Sequence, residues 1–350
     1  MSSSATRSRR DGASSSEPTL HAPPPELLRL LARPARLVLT SHSNPDGDAV
    51  GSQIAMYRLL VAAGHRVTVW NLDPVPRHFR DFLADTPWHH GTEPPEELGG
   101  LEAVDLVVYM ECPSRSRSGL AALERLPAVN IDHHLGNQLY GVVDWVVPAS
   151  ASVSQMALEL ARALSWPIDA VTAEALLLGL VTDTGSFRYS NSDPAAFRHA
   201  AELVALGASP ERVAHHVYER RSIASVRLQQ AMFSTLRLAA GGRVAVAWLT
   251  DEMFDSTAAT GDDTEGFVES LRVLDGVEAT ALLRQIGDGE FKASLRSRGG
   301  VDVERVASRH GGGGHRNAAG CRLEGDAEDL AARLASELAD AVDAASPGVS

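Results

Sequence analysis

The chain has 350 residues and a mass of 37.2 kDa, room for about two domains of ~150 residues, each with its own core. A net charge of −13 excludes a general basic surface that grips long nucleic acid, and 5% aromatic residues are too few for an extended base-stacking groove, so any phosphate-bearing substrate is short and held locally. No apolar run reaches the ~18 residues of a membrane span, and two cysteines, Cys112 and Cys321, make no disulfide framework, which points to a reducing cytoplasm.

In chain order, the stretch from Met1 to about Pro25 is rich in Ser, Arg and Pro and reads as a disordered tail without the apolar centre of a signal peptide. From Leu27 onward, short apolar runs alternate with helix-like segments, the pattern of a parallel sheet covered by helices. The runs are Leu37–Leu39, Val67–Trp70, Leu106–Tyr109 and Val129–Ile131; a helix is predicted over Ala49–Ala63 with Gly64 as its stop. Further helices are predicted over Val153–Leu164, Ala173–Leu180 and Pro194–Leu206. The charged stretch from Pro210 to about Arg237 reads as a helical connector. Beyond Gly241-Gly242 come strands over Arg243–Leu249, Ala279–Ile286 and Phe291–Arg296, the last two joined by a Gly287-Asp288-Gly289 hairpin turn. A helix over Ala327–Ala345 closes the chain. The reading is thus α/β throughout: a tail (1–25), a parallel-sheet domain (26–212), a helical linker (213–240) and a smaller mixed α/β domain (241–345).

Chemistry-bearing residues cluster where these strands end. His42, Asp46 and Asp48 sit on a Pro-Asp-Gly turn that follows the first strand and opens a helix; helix-capping acids explain one aspartate there, but not two with a histidine. Asp132-His133-His134 follows the fourth run, Glu111 follows Leu106–Met110, and Asp183 ends the apolar stretch Leu176–Val181. In open α/β sheets, sites lie outside the carboxyl ends of the strands. The four carboxylates Asp46, Asp48, Glu111 and Asp183 repel one another unless cations intervene, and two divalent ions would neutralise them. Mixed carboxylate and imidazole donors favour Mn²⁺ or a similar borderline ion over Ca²⁺. Two such ions serve metal-assisted hydrolysis at phosphorus.

A second candidate site lies near the C-terminus. The run Gly311-Gly312-Gly313-Gly314-His315-Arg316 lets backbone N–H groups approach an anion, with Arg296 on the preceding strand. Glycine runs are usually flexible linkers; this one continues directly into Ala318-Ala319-Gly320-Cys321 and, beside the acidic and histidine cluster, reads as an anion-binding nest for substrate recognition.

The ordered set His42…Asp46-Gly-Asp48…Gly51-Ser52, Asp132-His133-His134, Thr182-Asp183-Thr-Gly-Ser-Phe187 and Gly-Gly-Gly-Gly-His315…Ala-Ala-Gly320 resembles the DHH phosphoesterase superfamily. The C-terminal run resembles the DHH-associated domain of its nano-RNase and pAp phosphatase (NrnA-like) branch, and the likeness extends from about Leu27 to Leu338. That resemblance implies a Rossmann-like catalytic domain, a smaller C-terminal domain, an active site in the cleft between them, and a homodimer. It implies one Mn²⁺ on His42 and Asp46, a second on Asp48, His133 and Asp183, and a bridging acid from the second motif. His134 would then stand beside the scissile phosphate as a donor or general acid, with Asp132 orienting a histidine. Arg296, Gly312, Gly313, Gly314, His315 and Arg316 would bind the substrate's phosphates or base end.

One departure stands out. The bridging position is normally Asp in this family, and here it is Glu111, whose extra methylene moves the carboxylate outward by ~1.5 Å. The alternative acid, Asp105, begins its strand and belongs at the other end of the sheet. The implied substrates are very short RNA and dinucleotides, pAp, and the cyclic dinucleotide c-di-AMP or its linear product. The alternatives are a RecJ-like single-strand DNA exonuclease, for which the chain has little room, and a non-catalytic nucleotide sensor, against which the intact remaining ligands argue.

Overall fold

A computed structural model describes residues 22–345; the tail expected over 1–25 lies outside them up to residue 21. At its end the structure corrects the boundary, because Pro25 already opens a helix, α1 (Pro25–Leu31), as the first helical residue, where its missing N–H costs nothing. The chain divides into two compact units: residues up to Val75 with Phe82–Pro210, and Pro76–Asp81 with Glu211 onward. The short segment Pro76–Asp81 thus belongs with the second unit, although it lies inside the 26–212 stretch.

The first unit is built on β1 (Arg36–Thr40), β2 (Arg66–Asn71), β3 (His89–His90), β4 (Leu106–Met110), β5 (Ala128–Asp132) and β6 (Val143–Val146). They form one parallel sheet in the order β3-β2-β1-β4-β5-β6. Every residue of β4 and β5 is buried, as expected of parallel strands covered on both faces. Val38, Trp70, Val107 and Tyr109 pack on one face with Leu98, Leu120 and Leu123 from the loops, and the alternate residues Leu37, Leu39 and Val108 are equally buried. The strand order reverses between β1 and β4, which is where a doubly wound sheet opens a crevice at its carboxyl edge.

The helices of this unit are α2 (Gly47–Ala62), α3 (Val153–Ala163), α4 (Ala170–Asp183) and α5 (Pro194–Ala205). The first ten residues of α2 are all buried, so it is a core helix rather than an amphipathic one. It packs against α4 at backbone distance: a Cβ on Gly51 would collide with the carbonyl of Ala175, and one on Gly47 with the side chain of Thr182. Ser152, Asp169 and Asp193 cap α3, α4 and α5 with their side chains.

The stretch 210–237 is two helices rather than one, α6 (Pro210–Tyr218) and α7 (Ile223–Ser234); Ser222 interrupts it by capping α7 through the N–H of Ser225. The second sheet holds β7 (Arg237–Ala239), β8 (Val244–Leu249), β9 (Ala279–Gly287), β10 (Glu290–Ser297), β11 (Gly313–His315) and β12 (Ala318–Glu324), in the order β11-β12-β10-β9-β8-β7. It is antiparallel except between β8 and β9. The Gly287-Asp288-Gly289 hairpin is present, with Gly289 at a φ of 70°. Between the strands lie α8 (Asp251–Thr257), α9 (Phe267–Arg272) and α10 (Val303–Arg309), and the chain ends in α11 (Ala327–Ala345). One face is sealed by Val303 and Val306 of α10 and by Leu330, Leu334 and Leu338 of α11. On the other, Leu228 and Met232 of α7 and Phe267 and Leu271 of α9 pack over β8 and Leu282. No described helix is long and apolar enough to cross a membrane.

Candidate metal centre

Three strand ends and one helix end meet at the carboxyl edge of the first sheet. His42 follows β1, Glu111 follows β4, and Asp132 closes β5 with His133 and His134 directly behind it. Asp183 comes from elsewhere than the strand edge the sequence suggests: it is the last residue of α4, carried there by the α2–α4 packing. A carboxylate at the negative end of a helix dipole gains from a nearby cation. Asp105 lies at the opposite edge, where it accepts the Arg36 N–H at 2.7 Å, leaving Glu111 as the acid that β4 supplies.

The ligating atoms converge in two overlapping groups. Asp48, His133 and Asp183 each offer an atom within 4.8 Å of the others, and so do Glu111, His133 and His134. His133 Nε2 lies 3.2 Å from Glu111 Oε1 and 3.5 Å from Asp183 Oδ2. His42 and Asp46 stand apart from both groups and pair with each other, Nε2 to Oδ2 at 3.9 Å. Asp46 has two duties: Oδ1 accepts the N–H groups of Asp48 and Ala49 as the cap of α2, and Oδ2 faces His42.

Both histidines are oriented from behind. His133 Nδ1 lies 3.0 Å from the Ser150 carbonyl, and His42 Nδ1 lies 2.9 Å from the Ser43 carbonyl. A carbonyl accepts only, so each Nδ1 carries a proton and Nε2 is the nitrogen that faces an electrophile; at His133 a cation would displace the second proton that Glu111 and Asp183 favour there. His134 follows the same logic with a carboxylate as the acceptor: its Nδ1 donates to Asp132 Oδ1 at 2.7 Å, so its Nε2 side is what remains for the reaction. Asp132 also accepts the N–H groups of His133 and His134 on Oδ1, and the Asn137 amide on Oδ2 at 2.6 Å.

The electrostatics match a cation site. Burial drives the Glu111 carboxyl well above the usual carboxylate range; His133 pulls it back, and Asp48 and Asp183 push it further up. Burial raises Asp183 to about 8, with His133 opposing and the charges of Asp48 and Asp46 adding to the rise. Asp48 is raised by burial too, partly offset by His133. Burial alone would lower His133, yet Glu111 and Asp183 hold it well above its ordinary value. Asp132 behaves differently: burial pushes it up, but His134 and Asn137 overcome that and keep it low, hence ionised. Glu111 Oε2 is buried without any hydrogen-bond partner in the structure, an arrangement that costs stability unless something fills it. The donor set and this orphaned oxygen fit a divalent cation.

The second unit holds the remaining candidates. Arg296 on β10 donates through Nε to Glu269 at 2.9 Å and through one terminal nitrogen to the Leu295 carbonyl. Arg316 donates to the Gly300 carbonyl at 2.7 Å. The glycine run is part turn and part strand: Gly311 and Gly312 lead into Gly313–His315, which is β11, paired to β12. A Cβ at Gly312 would meet the Gly320 carbonyl, and one at Gly314 the Ala318 carbonyl, so those two glycines permit close strand approach, while Gly313 meets nothing.

Several contributors escaped the sequence reading. Val153 and Ser154 donate their N–H groups to the two oxygens of Asp48 at 2.6 and 2.9 Å. Ser150 orients His133, and Asn137 steadies Asp132. Gly179 had a readable signal: an isolated glycine within a helical apolar run usually has a packing reason.

Comparison with known proteins agrees with this geometry. The family model described as DHH family, N-terminal domain, matches residues 36–180, and the DHHA1 domain model matches residues 221–344. The chain is 33% identical to the bifunctional oligoribonuclease and PAP phosphatase NrnA of Thermus thermophilus, over 87% of this chain and 92% of that protein. Its fold is that of an exopolyphosphatase-related protein from Bacteroides fragilis, with a TM-score of 0.82 at 24% identity over 90% of this chain and 94% of the other. RecJ of Thermus thermophilus, solved in complex with Mn²⁺, superimposes with a TM-score of 0.51 at 18% identity, covering 92% of this chain and 54% of RecJ. A parallel sheet with acids and imidazoles on its carboxyl rim, joined to a DHHA1 unit, defines a class of phosphoric ester hydrolases. The chain belongs to that DHH family of enzymes, in its NrnA-like branch.

Proposed function

We propose that this protein is an Mn²⁺-dependent phosphodiesterase that hydrolyses very short RNA and dinucleotides to mononucleotides, removes the 3′-phosphate of pAp, and accepts c-di-AMP or its linear product. The observation that carries the reading is the orphaned Glu111 Oε2, buried in the group of Glu111, His133 and His134 that shares His133 with the group of Asp48 and Asp183. In this reading His42 and Asp46 would hold one cation, Asp48, His133 and Asp183 would hold the other, and Glu111 would contribute to the same centre. When bound, the pair of cations supplies an activated water and charge stabilisation for in-line displacement at phosphorus.

The chain's own residues supply the rest. The carbonyls of Ser150 and Ser43 hold the Nδ1 atoms of His133 and His42, so both rings aim Nε2 at the cation position without reorientation. His134, held by Asp132, presents Nε2 to the phosphate as a hydrogen-bond donor and gives its proton to the leaving oxygen. Ionised Asp132 stabilises the imidazolium form that this role needs. Arg296 and the glycine-rich β11–β12 hairpin bind the substrate's phosphates or base end. The protein acts in the cytoplasm as a homodimer, and its free buried cysteines suit a reducing compartment.

A turnover panel tests this: a dinucleotide, a 20-nucleotide RNA, pAp and c-di-AMP, each with Mn²⁺ and with EDTA, products resolved. Mn²⁺-dependent release of mononucleotides is expected, with the dinucleotide far faster than the long strand. Equal rates per end on the dinucleotide and the 20-mer, or no turnover with tight nucleotide binding, would overturn it. The second outcome marks a sensor.

A further inference from the structure

On the face of the second sheet that α7 and α9 cover over β8 and Leu282, the strands carry, beyond that cover, a row of cations that the centre described above does not use. In the β9–β10–β12 register, Lys292 stands directly opposite Arg284 on one side and Arg322 on the other. Directly opposed residues of antiparallel strands project to the same face, so three positive side chains lie side by side across three strands spaced ~4.8 Å apart. Lys292 and Arg322 are exposed and Arg284 is partly so. Among the described residues, no carboxylate comes within ion-pairing distance of any of the three. Burial lowers the Lys292 ammonium, and Arg284, Arg322 and Arg296 lower it further, with Glu265 the opposing acid. Like charges set directly opposite destabilise a sheet, and this row contributes nothing to the core beneath, which Phe291, Ala293, Leu283, Cys321 and Leu323 fill from the other face.

The surroundings give the row a direction. On the hairpin side the next row is anionic, Glu290 opposite Glu324. On the other side the next row runs from Leu282, packed under α9, to Ser294, Gly320 and Gly313, and the last three, in register, are too small to block the surface over β10, β12 and β11. One row further stands Arg296, paired in register with Ala318, which is paired in turn with His315. Arg296 and Lys292 are four residues apart on one strand, or roughly 13 Å. Arg296 is partly neutralised by Glu269, whereas the Lys292 row is not paired.

We propose that Arg284, Lys292 and Arg322 form a second phosphate subsite, which takes a backbone phosphate of an oligonucleotide whose end is held at Arg296 and the glycine-rich hairpin. This deepens the function proposed above and rests on it for the identity of the chain that is bound. Two phosphates of one oligonucleotide can span ~13 Å across the small-residue floor, whereas a single phosphate cannot. The row therefore acts on substrates longer than a dinucleotide, and dinucleotides and pAp do not reach it. A local cation row also reconciles oligonucleotide binding with a chain of net charge −13.

The test is equilibrium binding of fluorescent dinucleotide and pentanucleotide RNA to the full chain in EDTA, so that no turnover intervenes, for the wild type and for Lys292→Gln and Arg322→Gln. Both positions are exposed, and melting curves confirm that the variants fold. Each substitution is expected to weaken pentanucleotide binding ~5- to 10-fold and to flatten its salt dependence by roughly 0.7 in the log–log slope, leaving dinucleotide binding within twofold. Unchanged pentanucleotide binding, or equal weakening of both lengths, overturns the subsite. Dinucleotide turnover by the wild type with Mn²⁺ is read separately. Its absence beside length-dependent binding defeats the proposed activity and leaves the row standing, and the converse result defeats the row alone.

Discussion

Gly179 on α4 faces Asp48 on α2 so closely that a Cβ at position 179 would stand inside van der Waals contact of both Asp48 Oδ1 and Ser154 Oγ. The glycine is thus part of how Asp48 is held: one wall of its carboxylate is the bare α4 backbone, and the other is the N-terminus of α3, whose Val153 and Ser154 N–H groups donate to it. Gly179→Ala is expected to destabilise the fold by ~1–3 kcal/mol, as overpacking a tight core does, and to weaken Mn²⁺ binding at least tenfold because Asp48 must shift. Thermal melts with and without Mn²⁺ check this. An alanine variant with wild-type stability and wild-type metal affinity would contradict the packing argument.

The pH dependence of stability follows from the raised carboxyls. In the metal-free protein Asp183 titrates at about 8, and Glu111 and Asp48 are raised as well, whereas the unfolded chain releases these protons near pH 4. Between those limits the folded state binds more protons than the unfolded state, so unfolding free energy falls as pH rises. His133, also raised, acts in the same sense: its contribution is full below its ordinary value and is lost as pH climbs through the folded one. Asp132 has the opposite sign, being held low, and its contribution is lost only in strong acid. The melting temperature of the EDTA-treated protein is therefore expected to decline from pH 5 to pH 8.5. The increment from saturating Mn²⁺ is expected to grow over the same range as the ion displaces those protons. An increment independent of pH would show that these groups are not the ligands.

Glu111 adopts a φ of 56°, in the left-handed region, and Oε2 has no partner. Glu111→Gln keeps the shape and removes the charge. It is expected to lower Mn²⁺ affinity and turnover by a hundredfold or more, while leaving the metal-free protein about as stable as the wild type at pH 8, because the lost His133 pairing is offset by no longer burying a charge whose second oxygen has no partner. Glu111→Asp keeps the charge, tolerates positive φ better and draws the carboxylate back by ~1.5 Å, for a loss of about tenfold. Metal titration and initial rates should rank the three as Glu, Asp, Gln; a Gln variant that keeps its metal would exclude Glu111 from the centre.

Much of the fold was legible because its parallel strands are short, continuous apolar runs. Leu106–Met110 and Val129–Ile131 can be read as buried strands without tertiary information, and the residues that follow them mark the catalytic edge. Asp183 was misplaced for a physical reason: its approach depends on how α4 packs on α2, through Gly47, Gly51 and Gly179, and helix-to-helix distance has no signature in local periodicity. The same holds for Val153 and Ser154, whose contribution is backbone N–H and carries no side-chain signal. The strand β11 was hidden because two of its three residues are glycines, which lack the β-branched character of strands. Its pairing depends on the absence of Cβ atoms at Gly312 and Gly314, so the residues that looked like a loop are what let the strands meet.

The Asp132–His134 pair makes the sharpest separation between holding metal and moving a proton. Asp132 Oδ1 takes the proton-bearing Nδ1 of His134 at 2.7 Å, and its other oxygen is held by Asn137, whose amide also donates to Asn130 Oδ1 at 2.7 Å. Asp132→Asn removes the carboxylate that accepts the Nδ1 proton of His134 and can present an amide N–H to Nδ1 instead, so the ring no longer has a negative partner behind it when Nε2 acts as the donor. A loss of ~10²–10⁴ in kcat is expected, on the scale seen when an orienting aspartate is neutralised in a hydrolytic triad. Asn137→Ala frees the carboxylate without neutralising it, for a loss nearer ~10-fold in kcat. Asn137→Asp sets a second carboxylate against the first and should lose more than the alanine variant. Mn²⁺ affinity, read by titration on the same preparations, is expected to stay within a fewfold of wild type for Asn137→Ala. If affinity and kcat fell together in that variant, Asn137 would be supporting the metal ligands instead of the proton donor.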